Sequence, residues 1–185
     1  IVVPTGNFGN ILAGYYAQQM GLPVNQFICA SNVNKVLTDF LETGSYDRKR
    51  DFYRTMSPSM DILISSNLER FLFEINGHKA ENLIRWYDEL RSNGSFRVDE
   101  TSRQRIAKIF TGGFATEQQT LDAIKSAYEE HGYLIDTHTA VAYHVYQDYF
   151  ANTGDQTPAI IDSTASPYNF NRAVYTALTG NNGDE

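Results

Sequence analysis

Cysteine is almost missing from this sequence. Cys29 is the single one in 185 residues, which excludes an internal disulfide and any cysteine-only zinc site. Positive charge is scarce as well: fifteen Lys and Arg against twenty-two Asp and Glu leave a net charge of -7. That balance argues against nucleic acid and against an anionic membrane surface as partners. The one basic run, Arg48, Lys49, Arg50 and Arg54, has Asp47 and Asp51 interleaved with it, the pattern of a solvated surface segment. No apolar stretch approaches the roughly 20 residues that span a bilayer. No His or carboxylate spacing resembles a metal cluster. A cytoplasmic protein with no metal, no nucleic acid and no membrane partner is expected. An initiator Met and a leader-type charge pattern are also missing. The chain opens on Ile1-Val2-Val3-Pro4, a β-branched run expected to belong to a longer protein.

What is present suffices for a sizeable core, with 42% hydrophobic residues. Val2–Pro4, Val24–Ala30, Phe96–Val98, Tyr133–Asp136 and Ala159–Asp162 read as strands by β-branched and aromatic content. Helical spacing marks Ile11–Met20, Lys35–Leu41, Asp61–Asn76, Lys79–Arg91, Asp99–Phe110, Glu117–His131, His138–Phe150 and Tyr168–Leu178. Gly112-Gly113 separates two of these helices, and Thr116 with Gln119 predicts a capping box at the second. The density of charge from Ser45 to Thr55 suggests an exposed excursion, and Gly180–Glu185 a flexible tail. Strand and helix alternate at both ends, which predicts an α/β fold with a largely parallel sheet flanked by helices.

Three stretches carry possible chemistry. Strand, then Thr5-Gly6-Asn7-Phe8-Gly9-Asn10, then helix sets uncovered backbone N–H groups at the positive end of a helix. Such a loop is either an anion cradle, with Thr5 and the two Asn side chains as added donors, or a plain connecting turn. It is neither a Walker A loop nor a G-x-G-x-x-G fingerprint. Asp162-Ser163-Thr164-Ala165-Ser166-Pro167 offers hydroxyls at a strand's carboxyl end, either for a ligand or as caps of the next helix. In Asp136-Thr137-His138, a carboxylate precedes an imidazole by two residues, as a proton-handling pair or as a helix cap.

Taken together, V-P-T-G-N-F-G-N at 3–10, A-S-N-V-N at 30–34, S-P-S-M-D-I at 57–62, S-N-L-E-R at 66–70, D-T-H-T-A-V-A at 136–142 and S-T-A-S-P-Y-N-F at 163–170 resemble threonine synthase. The motifs keep that family's order and cover nearly the whole chain. The resemblance implies a fold-type II pyridoxal-phosphate enzyme of tryptophan synthase β-like architecture. Residues 1–179 would form the carboxyl-terminal portion of its catalytic domain. It implies pyridoxal 5'-phosphate as cofactor, held by Thr5, Gly6, Asn7, Phe8, Gly9 and Asn10 at its phosphate, with Thr164 facing the pyridine nitrogen. It implies O-phospho-L-homoserine and water as substrates, and L-threonine and phosphate as products. The family's Schiff-base lysine lies upstream of the phosphate loop, whereas Lys35, Lys49, Lys79, Lys108 and Lys125 all follow it. No catalytic residue is therefore assigned within the chain. The missing amino-terminal part becomes its expected partner, and the chain alone is expected to be inactive. Asn32, Asn34, Asp136 and His138 are candidates to line the same cleft. Two other readings stay open: another fold-type II lyase, such as a dehydratase or a cysteine synthase relative, and a non-catalytic phosphate-binding module.

Overall fold

A computed structural model describes residues 1–181. Its centre is a parallel sheet in the order β1 (Val2–Pro4), β2 (Phe27–Ser31), β5 (Phe110–Phe114). The two-residue strand period sorts side chains onto opposite faces. Val3, Phe27, Cys29 and Phe110 point into a large aromatic core beneath α1 (Gly9–Gln19), α2 (Val36–Thr43), α3 (Leu68–Ile75), α4 (Ala80–Asn93) and α5 (Glu100–Ala107). Val2, Ile28 and Ala30 point the other way, against Val141, Ala142 and Val145 of α7 (Thr137–Thr153). A third apolar cluster joins α6 (Glu117–His131), α7 and α8 (Asn171–Thr179) through Ala123, Ile124, Ala140, Val174 and Ala177. The α/β architecture with a parallel sheet is as expected.

Several elements differ from the sequence reading, each for a local reason. The stretch ending one helix at Phe110 is strand β5, and Gly112-Gly113 belong to it rather than to an interhelical turn. A Cβ on Gly112 would lie 2.9 Å from Thr38 Cα, and one on Gly113 2.5 Å from Val145 Cγ1. Helices press on this strand from both faces, so only glycine fits. Tyr133–Asp136 is no strand: Gly132 closes α6 in the left-handed region and Asp136 caps α7, which leaves a short link between two helices. Ala159–Asp162 reduces to one parallel bridge, Val2 with Ile161. The helix expected from Asp61 begins only at Leu68, because Asp61, Ser65 and Ser66 engage in tertiary hydrogen bonds. The second strand starts at Phe27 rather than Val24.

The Ser45–Thr55 excursion is largely exposed from Arg48 onward. Its start is β3 (Ser45–Asp47), which pairs antiparallel with β4 (Ser95–Arg97) and buries Tyr46. The capping box at Thr116 is formed as predicted. Of the expected tail, Gly180 closes α8 and residues 182–185 lie outside the described residues.

Trp86 is 0% exposed and stacks over Phe96 with ring centroids 6.3 Å apart. Among the described residues its indole Nε1 has no hydrogen-bond partner. Trp86→Ala is expected to cost about 3–5 kcal/mol in a urea denaturation followed by circular dichroism. Trp86→Phe, which discards only the unpaired donor and part of the ring, should cost less than half as much.

Candidate functional site

The loop after β1 turns at the carboxyl end of the sheet. Thr5 N–H donates to the Ala30 carbonyl (2.8 Å) and its hydroxyl donates to the Val3 carbonyl (2.7 Å), so Thr5 is directed into the fold and aims the residues that follow. Beneath it, burial pushes the Cys29 thiol up to about 12, against a smaller downward effect from a hydrogen bond with Thr5. This cysteine remains protonated and is no nucleophile.

Phe8 has φ 60° and ψ 4°, a left-handed conformation that a bulky side chain adopts only when packing holds it there. The packing is its buried ring, 5.4 Å from Phe71 and 5.6 Å from Phe110. That ring fixes the start of α1, whose first turn has no side-chain cap and no acidic residue. Its leading N–H groups therefore sit at an exposed, uncapped, positive helix end.

A second segment braces the loop from the side. The Ser65 hydroxyl donates to the Gly6 carbonyl (3.0 Å), Ser66 N–H donates to Asn7 Oδ1 (2.7 Å), and Asn67 Nδ2 donates to the Asn7 carbonyl (2.9 Å). Above Gly6 lies the turn at Ser59-Met60. A Cβ on Gly6 would stand 2.7 Å from the Ser59 carbonyl oxygen and 3.1 Å from Met60 Cα. The result is an open cleft of about 320 Å³. Thr5, Gly6, Asn7, Phe8, Gly9, Asn10 and Thr164 all line it, so every expected binding residue falls along one surface. His138 lines it too, whereas none of the five lysines does. Lys35 instead sits 4.1 Å above the Phe114 ring. Asn10 Nδ2 is engaged by Asp162 at the cleft mouth.

Asn32 and Asn34 correct the expectation that they face the cleft. Both are buried behind its wall. Asn32 Nδ2 donates to Asp61 Oδ1 (2.8 Å) and Thr55 Oγ1 (2.9 Å), and Asn34 Nδ2 donates to the Tyr53 carbonyl (2.9 Å). They order the 53–61 segment that presents Ser59 and Met60. Asp136 is likewise buried rather than lining, and serves as the N-cap of α7 by accepting from the N–H groups of His138 and Thr139. Burial pushes its carboxyl up. The hydrogen bonds from His138 and Thr139 outweigh burial and hold it below the ordinary carboxylate value.

Residues 59, 60 and 67 were not singled out from the sequence as site residues, although they fall within or beside the motifs S-P-S-M-D-I and S-N-L-E-R. Their part depends on a wall built more than fifty residues from the loop, for which local pattern gives no signal.

Chemically, the arrangement offers a small anion an uncapped helix end and the loop backbone before it, with Thr164 on the same cleft lining. Among the described residues, no group of His, Cys, Asp and Glu is arranged to hold a metal ion, and no helix is long and apolar enough to cross a membrane.

No family model matches the chain. Threonine synthase of Saccharomyces cerevisiae is 41% identical over 193 residues, aligned with 97% of this chain and 38% of that protein. Human threonine synthase-like 1 is 44% identical over 180 residues, aligned with 96% of this chain and 24% of that protein. The crystal structure of the yeast threonine synthase superposes with a TM-score of 0.92 at 39% identity, over 100% of this chain and 39% of that one. That of pyridoxal-phosphate-bound threonine synthase from Brucella melitensis superposes with a TM-score of 0.86 at 39% identity, over 95% of this chain and 37% of that one. The chain thus spans 24% to 39% of the length of the proteins it matches here.

Proposed function

We propose that this chain, which belongs to the threonine synthase family, forms the part of the active site that seats pyridoxal 5'-phosphate, in a protein that converts O-phospho-L-homoserine and water to L-threonine and phosphate. The single observation that carries this reading is the joint placement of Gly6–Asn10 and Thr164 along one cleft at the sheet's carboxyl end. The residues fit the group. An uncapped helix end with no acidic residue in its first turn suits a phosphate, and a Cβ at Gly6 would close the cradle against Ser59. The cofactor, when bound, supplies an electron sink for carbanions formed on the amino-acid substrate.

The chain's own residues then divide the task. The backbone of Gly6–Asn10 binds and orients the phosphate, with Thr5 directing the loop. Thr164, on the same cleft, would face the pyridine nitrogen with a neutral hydroxyl, which cannot stabilise a protonated ring as a carboxylate would. None of the five lysines lines the cleft, which supports a cofactor-joining lysine supplied from outside residues 1–185 and residues 1–179 as a carboxyl-terminal portion of the catalytic domain. The activity is that of a carbon–oxygen lyase acting on a phosphate ester. A buried, free Cys29 suits the reducing cytoplasm.

The test supplies pyridoxal phosphate and O-phosphohomoserine to the protein encoded by the complete reading frame, and follows threonine and phosphate together. Equal release of both is expected. Phosphate or ammonia without threonine would identify a different lyase, and no turnover with no cofactor absorbance a binding module. Residues 1–185 expressed alone should yield no threonine; formation of threonine by them contradicts the division of labour.

A further inference from the structure

We infer that His138 is a positioning residue for the cofactor-phosphate loop, holding the Ser59-Met60 turn down on Gly6 through a hydrogen bond from the Ser59 backbone. The inference rests on the functional reading above and goes beyond it, since among the described residues His138 is the one imidazole lining the cleft.

Both ring nitrogens are committed. Nδ1 lies 3.0 Å from Asp136 Oδ1, and Nε2 lies 3.3 Å from Ser59 N. Asp136 is a 0% exposed carboxylate that accepts from backbone N–H groups, so the proton between it and the imidazole belongs to Nδ1. That tautomer leaves a lone pair on Nε2, which is what the Ser59 N–H requires. The imidazole is 2% exposed, and Phe170 packs edge-on against it with ring centroids 4.8 Å apart. It therefore has little freedom to leave the turn.

Ser59 and Met60 are the backbone atoms nearest a Cβ on Gly6. The imidazole thus fixes, from 79 residues away in sequence, the height of the wall above the phosphate loop. Asp136 reaches the other wall as well. The Thr139 hydroxyl donates to its second oxygen and lies 3.2 Å from Ser163 Oγ, next to Thr164. One buried carboxylate with its histidine ties together the two ends of the cofactor cleft.

Asparagine and glutamine separate the two bonds, because the Asn amide reaches the Nδ1 position and the Gln amide the Nε2 position. Leucine has similar volume and neither bond. Pyridoxal phosphate affinity is measured by absorbance titration of the complete protein, and the 31P resonance of the bound cofactor is recorded. His138→Leu should weaken binding about tenfold, the scale of one lost hydrogen bond that shapes the site. His138→Asn should resemble it, and His138→Gln should stay within about threefold of wild type. The 31P resonance should move in the Leu and Asn variants and hold in Gln. Wild-type affinity in His138→Leu, or Gln no better than Asn, overturns the proposal while leaving the functional reading intact. If the Leu variant fails to fold, the Gln–Asn comparison decides alone. A wild-type protein that takes up no pyridoxal phosphate overturns the functional reading, and this proposal with it.

Discussion

Replacing Gly6 with alanine is expected to abolish cofactor binding, with a loss of at least about 100-fold in affinity for pyridoxal phosphate. The added Cβ would come within 2.7 Å of the Ser59 carbonyl oxygen and 3.1 Å of Met60 Cα, and both are backbone atoms. No side-chain rotation relieves such a contact. The turn is also held from behind, by His138 at Ser59 N and by the Asn32–Asp61 bond (2.8 Å) at the segment's base. Either the wall lifts or the loop sinks, and overpacking of this kind costs about 1–3 kcal/mol of stability. The backbone N–H groups proposed to hold the phosphate move at the same time, which is why binding is expected to suffer more than folding. Gly9→Ala makes the contrast. Its Cβ would meet the Asn67 side-chain amide at 3.1 Å, a side chain that can shift at the expense of its bond to the Asn7 carbonyl, so about a tenfold loss is expected there. Titration of the two variants with pyridoxal phosphate, beside their thermal unfolding, measures both effects. Equal losses in the two would contradict a backbone wall over Gly6.

The second large effect is on stability. Asp136→Ala should cost about 3–5 kcal/mol, because it removes a helix cap and strands several buried donors at once. The carboxylate accepts from His138 N (2.8 Å), His138 Nδ1 (3.0 Å), Thr139 N (3.4 Å) and the Thr139 hydroxyl. Its acidity gives the same account a pH signature. Burial pushes this carboxyl up and the hydrogen bonds more than reverse that, so its folded value lies below the unfolded value of about 3.9. A group depressed in the folded state contributes stability that is complete above the unfolded value and lost as pH falls through the folded one. Urea denaturation from neutral pH down to about pH 2 should therefore show an acid-side loss in wild type that is smaller in Asp136→Ala. A parallel decline in both proteins would mean that other carboxylates govern acid stability.

The parts of the fold that could be read from the sequence are those set by local pattern. The strand–glycine–helix sequence at residues 2–19, the capping box at Thr116 and the amphipathic helices α4 and α6 follow from periodicity and cap chemistry. The places where that reading fails are those where tertiary contacts outweigh propensity. Gly112-Gly113 looks like a helix break and is instead the centre of a strand compressed between Thr38 and Val145. Tyr133–Asp136 has strand-like composition, yet its last residue is used to cap α7. The candidate site divides in the same way. Thr5–Asn10 and Thr164 carry their signal in glycine content, strand-end position and family motif. Asn32 and Asn34 share the strand-end position and the family motif, but their amides are consumed in supporting the wall. No pattern along the chain distinguishes an asparagine that faces a ligand from one that faces Asp61.

The central claim is that the loop Gly6–Asn10 holds the phosphate of pyridoxal 5'-phosphate while Thr164 meets its ring. The most direct measurement is a crystal structure of the complete protein with the cofactor bound. The account predicts the phosphate within hydrogen-bonding distance of the backbone N–H groups of Gly6–Asn10, with the pyridine nitrogen at the Thr164 hydroxyl. A phosphate seated elsewhere, for instance in the separate cleft between Thr55 and Thr176, would contradict it.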